Sequence, residues 1–500
     1  MREIVLAAYF GTSAQMDALL VALIIPMFFL NMLGEASMGA AVVPVFIRYV
    51  APQQTADQRR IVGSAFVLLS LVLSGVAAIG VIFAPAIAHL FAPGFDEANL
   101  ALTASLMRLL MPALLVLGLS NFVTGLLHSF RRFGPAAATG VVFNLAVVLT
   151  TIPFAQRFGI VAPAVGVLLG CILQLGIMMP SLVRTGLFPS AGISFRDPAL
   201  VRMWRLFWPI FLGGLLVTAL KTVDKVVGSF LPEGSISALN YAAKIAGGPS
   251  RIFTMSIAVV LFPAFVKKVA EGAEDRGEIV VRGLNLAAFL TLPFTALLIA
   301  LRYPIVYVLL QRGAFDASAT PKVALALAVY CLGDFADGIS TMVNNAFYSH
   351  HDSRVPTMVF VGSNVLRAVA IVALVPLLGY MAIAVGNALA VDVAIVVLLV
   401  LLRRHVPAFD LKALGAGFFK IVLAAVGAGV AGWATFSLLE TSVSGSQIAT
   451  TAALLGCVPP ALVVYFLLAR MLGCEEATLV QRRLVEFVRR PGKPPAAASS

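Results

Sequence analysis

The sequence predicts an all-α integral membrane protein with about fourteen transmembrane helices, two pseudo-twofold six-helix lobes followed by two further helices. Three observations predict it. First, 60% of the 500 residues are hydrophobic and only 12% are charged, where a soluble domain carries about 25% charged residues; mean hydropathy is +1.00. Second, the basic residues crowd into alternate loops. Third, the chain repeats its own landmarks at a constant spacing.

Breaking the apolar runs at polar or Pro/Gly clusters gives the elements in order. The first is short, 1–10, and 17–47, 61–91, 100–127, 135–156, 160–183 and 199–230 follow. The second set is 236–266, 280–301, 321–348, 355–375, 380–402, 413–438 and 447–470. Pro26 and Pro44 fall inside one long span, and Pro249 and Pro263 inside another, so broken or strongly tilted helices are expected there.

Loop charge sets the expected orientation. Loops after the even-numbered spans and the C-terminal tail hold 23 of the 35 basic residues, and the opposite loops hold 4. The positive-inside rule then places both termini in the cytoplasm of a multi-pass membrane protein. The same asymmetry accounts for the net charge of +12 without a nucleic-acid partner.

The repeat is read from landmarks. Phe95-Asp96 recurs as Phe315-Asp316, Ser129 as Ser349, Asn144 as Asn364, Gly159 as Gly379, and Ala164-Val165-Gly166 as Ala384-Val385-Gly386, each pair 220 residues apart. Six spans per copy preserve orientation, the plan of many two-lobe transporters with the site between the lobes. The expected division is 1–190, 191–408, two additional helices in 409–472 and a basic tail in 473–500. By the same offset the first span is curtailed, or the first copy begins about twenty residues before Met1. No cleavable signal peptide is recognised.

The chemistry available is transport rather than catalysis. There is no GxxxxGK(S/T) phosphate loop, HExxH pair or GxSxG elbow. Cys171, Cys331, Cys457 and Cys474 are scattered through apolar segments and read as small core residues. His350-His351-Asp352 lies in a short basic loop and reads as solvated, so no metal or other cofactor is expected.

Ionisable residues inside membrane spans are costly and normally face a wet cavity. Asp224 lies three residues after Lys221 and beside Lys225, so on a helix it can pair with the first while the second points elsewhere. With Lys244, the cations exceed their anions, which suits a polyanionic guest such as a pyrophosphate. Arg2 matches Lys221 by the repeat, and Asp17 and Glu35 either balance the empty chamber or bind a coupling cation. Arg108, Asp392 and Lys420 read as residues that snorkel to the interface.

Six stretches carry a resemblance: REIVLAAYFG (2–11), MDALLVALIIP (16–26), GEASMGAAVVPVF (34–46), APGFDEA (92–98), SFRRFGPAAATGVVFNL (129–145) and VDKVVGSFLPEGSISALNYAAKI (223–245). In order and spacing they resemble the MurJ/MviN family, the lipid II flippases of the polysaccharide-exporter superfamily. The resemblance implies fourteen helices, a cationic cavity opening alternately to either side, and a groove for a lipid tail formed with the last two helices. It places the chain in the bacterial inner membrane and assigns Arg2, Asp17, Glu35 and Lys244 to the headgroup site and Asp224 and Asn364 to a cation site. Lys221 and Lys225 join the headgroup site on their own excess of positive charge, not on the resemblance.

Two departures bear on those roles. Ala368 occupies the next acidic position expected of that cation site, with Arg367 beside it, and Leu30-Asn31 replace a family arginine pair. The expected cargo is a polyprenyl-diphosphate-linked saccharide in membrane lipid: lipid II or another such unit. A cation-coupled drug antiporter is the alternative from a different class. The driving ion (sodium, proton or the membrane potential alone) and the oligomeric state stay open.

Overall fold

The computed structural model describes residues 1–27, 55–186, 197–248, 276–349, 352–406, 409–442 and 446–481. Its elements are helical throughout: α1 (Arg2–Phe10), α2 (Ala14–Ala22), α3 (Thr55–Ile82), α4 (Ala84–Phe91), α5 (Glu97–Ser129), α6 (Gly134–Phe158), α7 (Val161–Val183) and α8 (Pro198–Ser229). A helix over 235–248, α9, follows. The remainder are α10 (Arg276–Ala300), α11 (Arg302–Leu310), α12 (Ala319–Ser349), α13 (Arg354–Leu378), α14 (Met381–His405), α15 (Leu411–Ser442) and α16 (Gln447–Met471). Ten helices among the described residues are long and apolar enough to cross a membrane. The spans expected at 17–47 and 236–266 run into segments outside the described residues.

One expected span is two helices. The run 61–91 breaks at Phe83, and α4 restarts with Pro85 in its first turn. Proline has no N–H to donate and its ring clashes with the preceding turn, so it is tolerated at a helix start and not in mid-helix. A matching break follows Ala300, where α11 starts.

The repeat is written into local geometry. Asp96 caps α5 by accepting the Asn99 N–H at 3.1 Å, and Asp316 accepts the Ala319 N–H at 2.9 Å at the start of α12. The Asn144 side chain donates to the Gly140 carbonyl at 2.7 Å, and Asn364 to the Phe360 carbonyl at 2.8 Å. An exposed stripe on α6, Leu145, Leu149 and Ile152, returns on α13 as Val365, Val369 and Val372. An apolar stripe with no protein partner on a membrane helix faces lipid.

The packed cores repeat as well. Ile61, Val62 and Ala65 on α3 meet Val123, Leu126 and Leu127 on α5 and Met178 and Leu182 on α7. Val280, Val281 and Leu284 on α10 meet Val343, Ala346 and Phe347 on α12 and Leu398 and Leu402 on α14. Each residue of the second set lies 219 or 220 after its counterpart. In lipid no water is released by such burial, so the contacts stabilise through dispersion and shape.

Two compact units result. Unit 1 comprises Met1–Ala238 with Leu310–Ala319 and Leu378–Tyr380, and unit 2 comprises Leu239–Leu309, Thr320–Leu377 and Met381–Ser500. Residues 199–238 and 310–319, which follow the repeat boundary in sequence, therefore pack with the first repeat. In unit 2, α15 and α16 pack on α10 through Phe289, Ile421, Ala425 and Tyr465. The buried Tyr465 hydroxyl donates to the Phe289 carbonyl at 2.7 Å. All four cysteines are buried and free.

Candidate functional site

In unit 1 the turn after α1 meets two segments from far along the chain. The Ala314 N–H donates to the Ala8 carbonyl at 2.8 Å. Gly11 sits at φ +55 against the Ala314 carbonyl, and Gly234 at φ +81 against the Thr12 carbonyl; a Cβ at either would overlap that oxygen. Only glycine holds this conformation at such short range.

Asp17 completes the junction. Ser13 caps α2 through the Met16 N–H, which places Asp17 in the first turn. Only 2% of Asp17 is exposed. Its Oδ2 accepts the Gly234 N–H at 2.8 Å and its Oδ1 the Ser237 N–H at 2.7 Å. These amides open α9, where a helix has N–H groups without intrahelical partners and a partial positive charge. Asp17 is thus an anionic cap supplied in trans, from more than two hundred residues away. Burial is the main influence on this carboxylate, then its hydrogen bonds to Ser237 and Gly234, with the charge of Lys225 on α8 the weakest.

Arg2 is part-buried at the start of α1. It pairs with Glu3 at 2.6 Å and lies 5.7 Å above the Phe143 ring of α6. The ring face favours the guanidinium, and Glu3 neutralises part of it. Asp224 is half-buried on α8, one residue before Lys225. Lys244 is exposed on α9. Asn364 and Arg367 on α13 are each 6% exposed. Unit 1 thus brings together Asp17, Lys225 and the start of α9, while Lys244, farther along α9, belongs to unit 2. Glu35 and the Leu30-Asn31 pair lie outside the described residues, as does the side chain of Lys221. Among the described residues no three His, Cys, Asp or Glu side chains converge on a metal site.

Unit 2 holds a cavity of about 750 Å³ among α10, α12, α14 and α15. Its lining runs along α10 from Leu284 to Ala300, about 24 Å at 1.5 Å per residue, most of the roughly 30 Å hydrocarbon thickness. Apart from Thr295 and Asp392 the lining is apolar, so the groove suits an alkyl or isoprenoid chain. The first of the two additional helices, α15, lines it, while α16 packs behind α15. Its individual lining residues were not legible from sequence. Leu284, Phe335 and Phe418 read as ordinary membrane residues until the helices are assembled.

The family profile of lipid II flippase MurJ matches residues 6–452. A "Probable lipid II flippase MurJ" of Rhizobium tropici is 27% identical over 500 residues, covering 97% of this chain and 92% of the relative. One from Bdellovibrio bacteriovorus is 26% identical over 492 residues, covering 96% and 92%. A solved lipid II flippase MurJ in an inward closed conformation superposes with a TM-score of 0.79 at 22% identity, covering 97% of this chain and 96% of that one. An inward-facing MATE-family multidrug transporter of the MOP superfamily gives 0.67 at 16% identity, covering 82% and 95%. These two likenesses establish a shared helical fold. With the profile spanning both copies of the repeat, the chain belongs to the lipid II flippase MurJ family.

Proposed function

We propose that this protein moves lipid II, the polyprenyl-diphosphate-linked peptidoglycan precursor, from the cytoplasmic to the outer leaflet by alternating access. The observation that carries this reading is the family match from residue 6 to 452. The protein acts by transport and uses no cofactor. The basic loops and C-terminal tail face the cytoplasm, and the alternation of spans then puts the α1–α2 turn and the Asp17 junction on the outer side.

In this reading Asp17 is an outer clasp. While it holds the Gly234 and Ser237 amides, the start of α9 stays fixed against α2. Arg2, Lys221, Lys225 and Lys244 supply the positive charge a diphosphate requires, with Glu35 and Asp17 balancing it when no headgroup is present. A diphosphate drawn to Lys225 competes with Asp17 for that cation, and its own negative charge repels the carboxylate. Both effects weaken the clasp, linking headgroup arrival to release of the start of α9. The groove in unit 2 holds the lipid tail, so only the headgroup crosses a polar path.

The membrane potential can supply the drive. Moving two negative charges outward across 100 mV, inside negative, is favourable by about 4–5 kcal/mol. Asp224 and Asn364 remain the residues for a coupling cation, with the neighbouring Arg367 as the natural competitor for that role. Expression in cells depleted of their own lipid II flippase tests the assignment. Restored growth and wall synthesis is the expected result. A stable, membrane-inserted full chain that leaves growth unrestored rejects it.

A further inference from the structure

The groove of unit 2 carries one feature that a purely lipid-holding surface does not require. Asp392 is the twelfth residue of the 25 in α14, midway along that apolar helix, and it is exposed and lines the groove. No basic residue lines the groove with it. The charged residues of the helices around it are Arg276, Glu278 and Arg282 on α10, Lys322, Asp334 and Asp337 on α12, Arg354 and Arg367 on α13, Arg403 and Arg404 on α14, and Lys412, Lys420 and Glu440 on α15, and none of them belongs to the lining. Among the described residues Asp392 has no hydrogen bond or ion pair, and no charged group acts on it.

An unpaired carboxylate in hydrocarbon costs several kcal/mol and is relieved by a cation or by neutralisation. A plain alkyl chain in the groove leaves that cost in place. A neutral polar guest offers one hydrogen bond. A cation flanked by apolar groups relieves the charge and fills the lining together. We propose that this groove is a binding site for hydrophobic amines, in which an ammonium bearing apolar groups on two sides pairs with Asp392 while those groups lie along α10, α12 and α15. The site does not involve the headgroup cations, but it lies in the groove that the flippase reading gives to the lipid tail, so amine and tail would compete for it.

The test uses full-length protein in nanodiscs and three fluorescent probes with one apolar body: a dialkylmethylamine, its quaternary dialkyldimethylammonium analogue and a neutral isostere with carbon in place of nitrogen. Both cationic probes are expected to bind saturably and about tenfold or more tighter than the neutral one, the factor that a modest ion-pair coupling produces. Asp392→Asn should erase that preference and leave neutral-probe binding unchanged, and Asp392→Glu should retain it. Equal binding of charged and neutral probes to the unmodified protein overturns the proposal, as does a preference that survives Asp392→Asn. Absence of saturable binding by all three overturns it too. The comparison of probes on the unmodified protein does not depend on any variant folding. Loss of lipid II transport with intact probe binding would count against the flippase reading alone.

Discussion

Replacing Asp17 with Asn tests whether the carboxylate holds the start of α9 as an anionic cap. Both oxygens are used: Gly234 N–H at 2.8 Å on one and Ser237 N–H at 2.7 Å on the other. An amide keeps one acceptor oxygen, turns an N–H₂ toward the second donor, and removes the charge that favours a helix N-terminus. A buried hydrogen bond to a charged group is worth about 1.5–3 kcal/mol net. Losing one therefore raises the local opening equilibrium roughly ten- to a hundredfold. Hydrogen–deuterium exchange on protein in nanodiscs reads this at the two donors themselves. Protection at Gly234 and Ser237 should fall by that factor, while amides deeper in α9, bonded within the helix, change little. Unchanged protection at both donors in a folded Asp17→Asn protein would refute the cap and, with it, the clasp.

Three further outcomes are expected. Lys244→Ala and Arg2→Ala should each abolish rescue of flippase-depleted cells without lowering the amount of inserted protein; wild-type rescue by both would remove the cationic headgroup site. Tyr465→Phe removes a buried 2.7 Å bond between α16 and α10, worth about 1–1.5 kcal/mol. Its melting temperature should drop with helix content unchanged, and an unaltered melt would show that the ring alone anchors α16. Burial, reinforced by Glu475, pushes the Glu476 carboxyl above its ordinary value, with a backbone hydrogen bond and Lys420 opposing. The folded state thus holds this proton more tightly than the unfolded state, and stability from the group is lost as pH rises through the raised value. Glu476→Gln should melt like the parent near about pH 4 and above it near about pH 7. A gap that shrinks with rising pH contradicts the assignment.

Much of the fold is legible because its signals are local. Asp96 and Asp316 cap helices through amides three residues away, and the sequence displays both at matching places. The paired stripes Leu145–Ile152 and Val365–Val372 are legible for the same reason, since lipid contact asks only for apolar residues at helical spacing. The break at Phe83 was missed although Pro85 signals it, because the apolar run continues unbroken around it. The Asp17 cap had no local signal: its donors are 217 and 220 residues away, and a carboxylate in an apolar helix reads equally well as a substrate or ion ligand. Asp392 was read as snorkelling to the interface, yet the structure sets it in mid-helix against a groove. That groove exists only once α10, α12, α14 and α15 are assembled. The count of fourteen helices rests on the sequence, since two expected spans extend outside the described residues.

The leaflet distribution of lipid II itself reports transport by this chain directly. In flippase-depleted cells expressing this chain, a membrane-impermeant reagent that labels the precursor's peptide amine would report outer-leaflet lipid II. Labelling should return to the level of undepleted cells and collapse with Lys244→Ala. Lipid II confined to the inner leaflet, despite a stable and correctly inserted protein, would contradict the proposed transport.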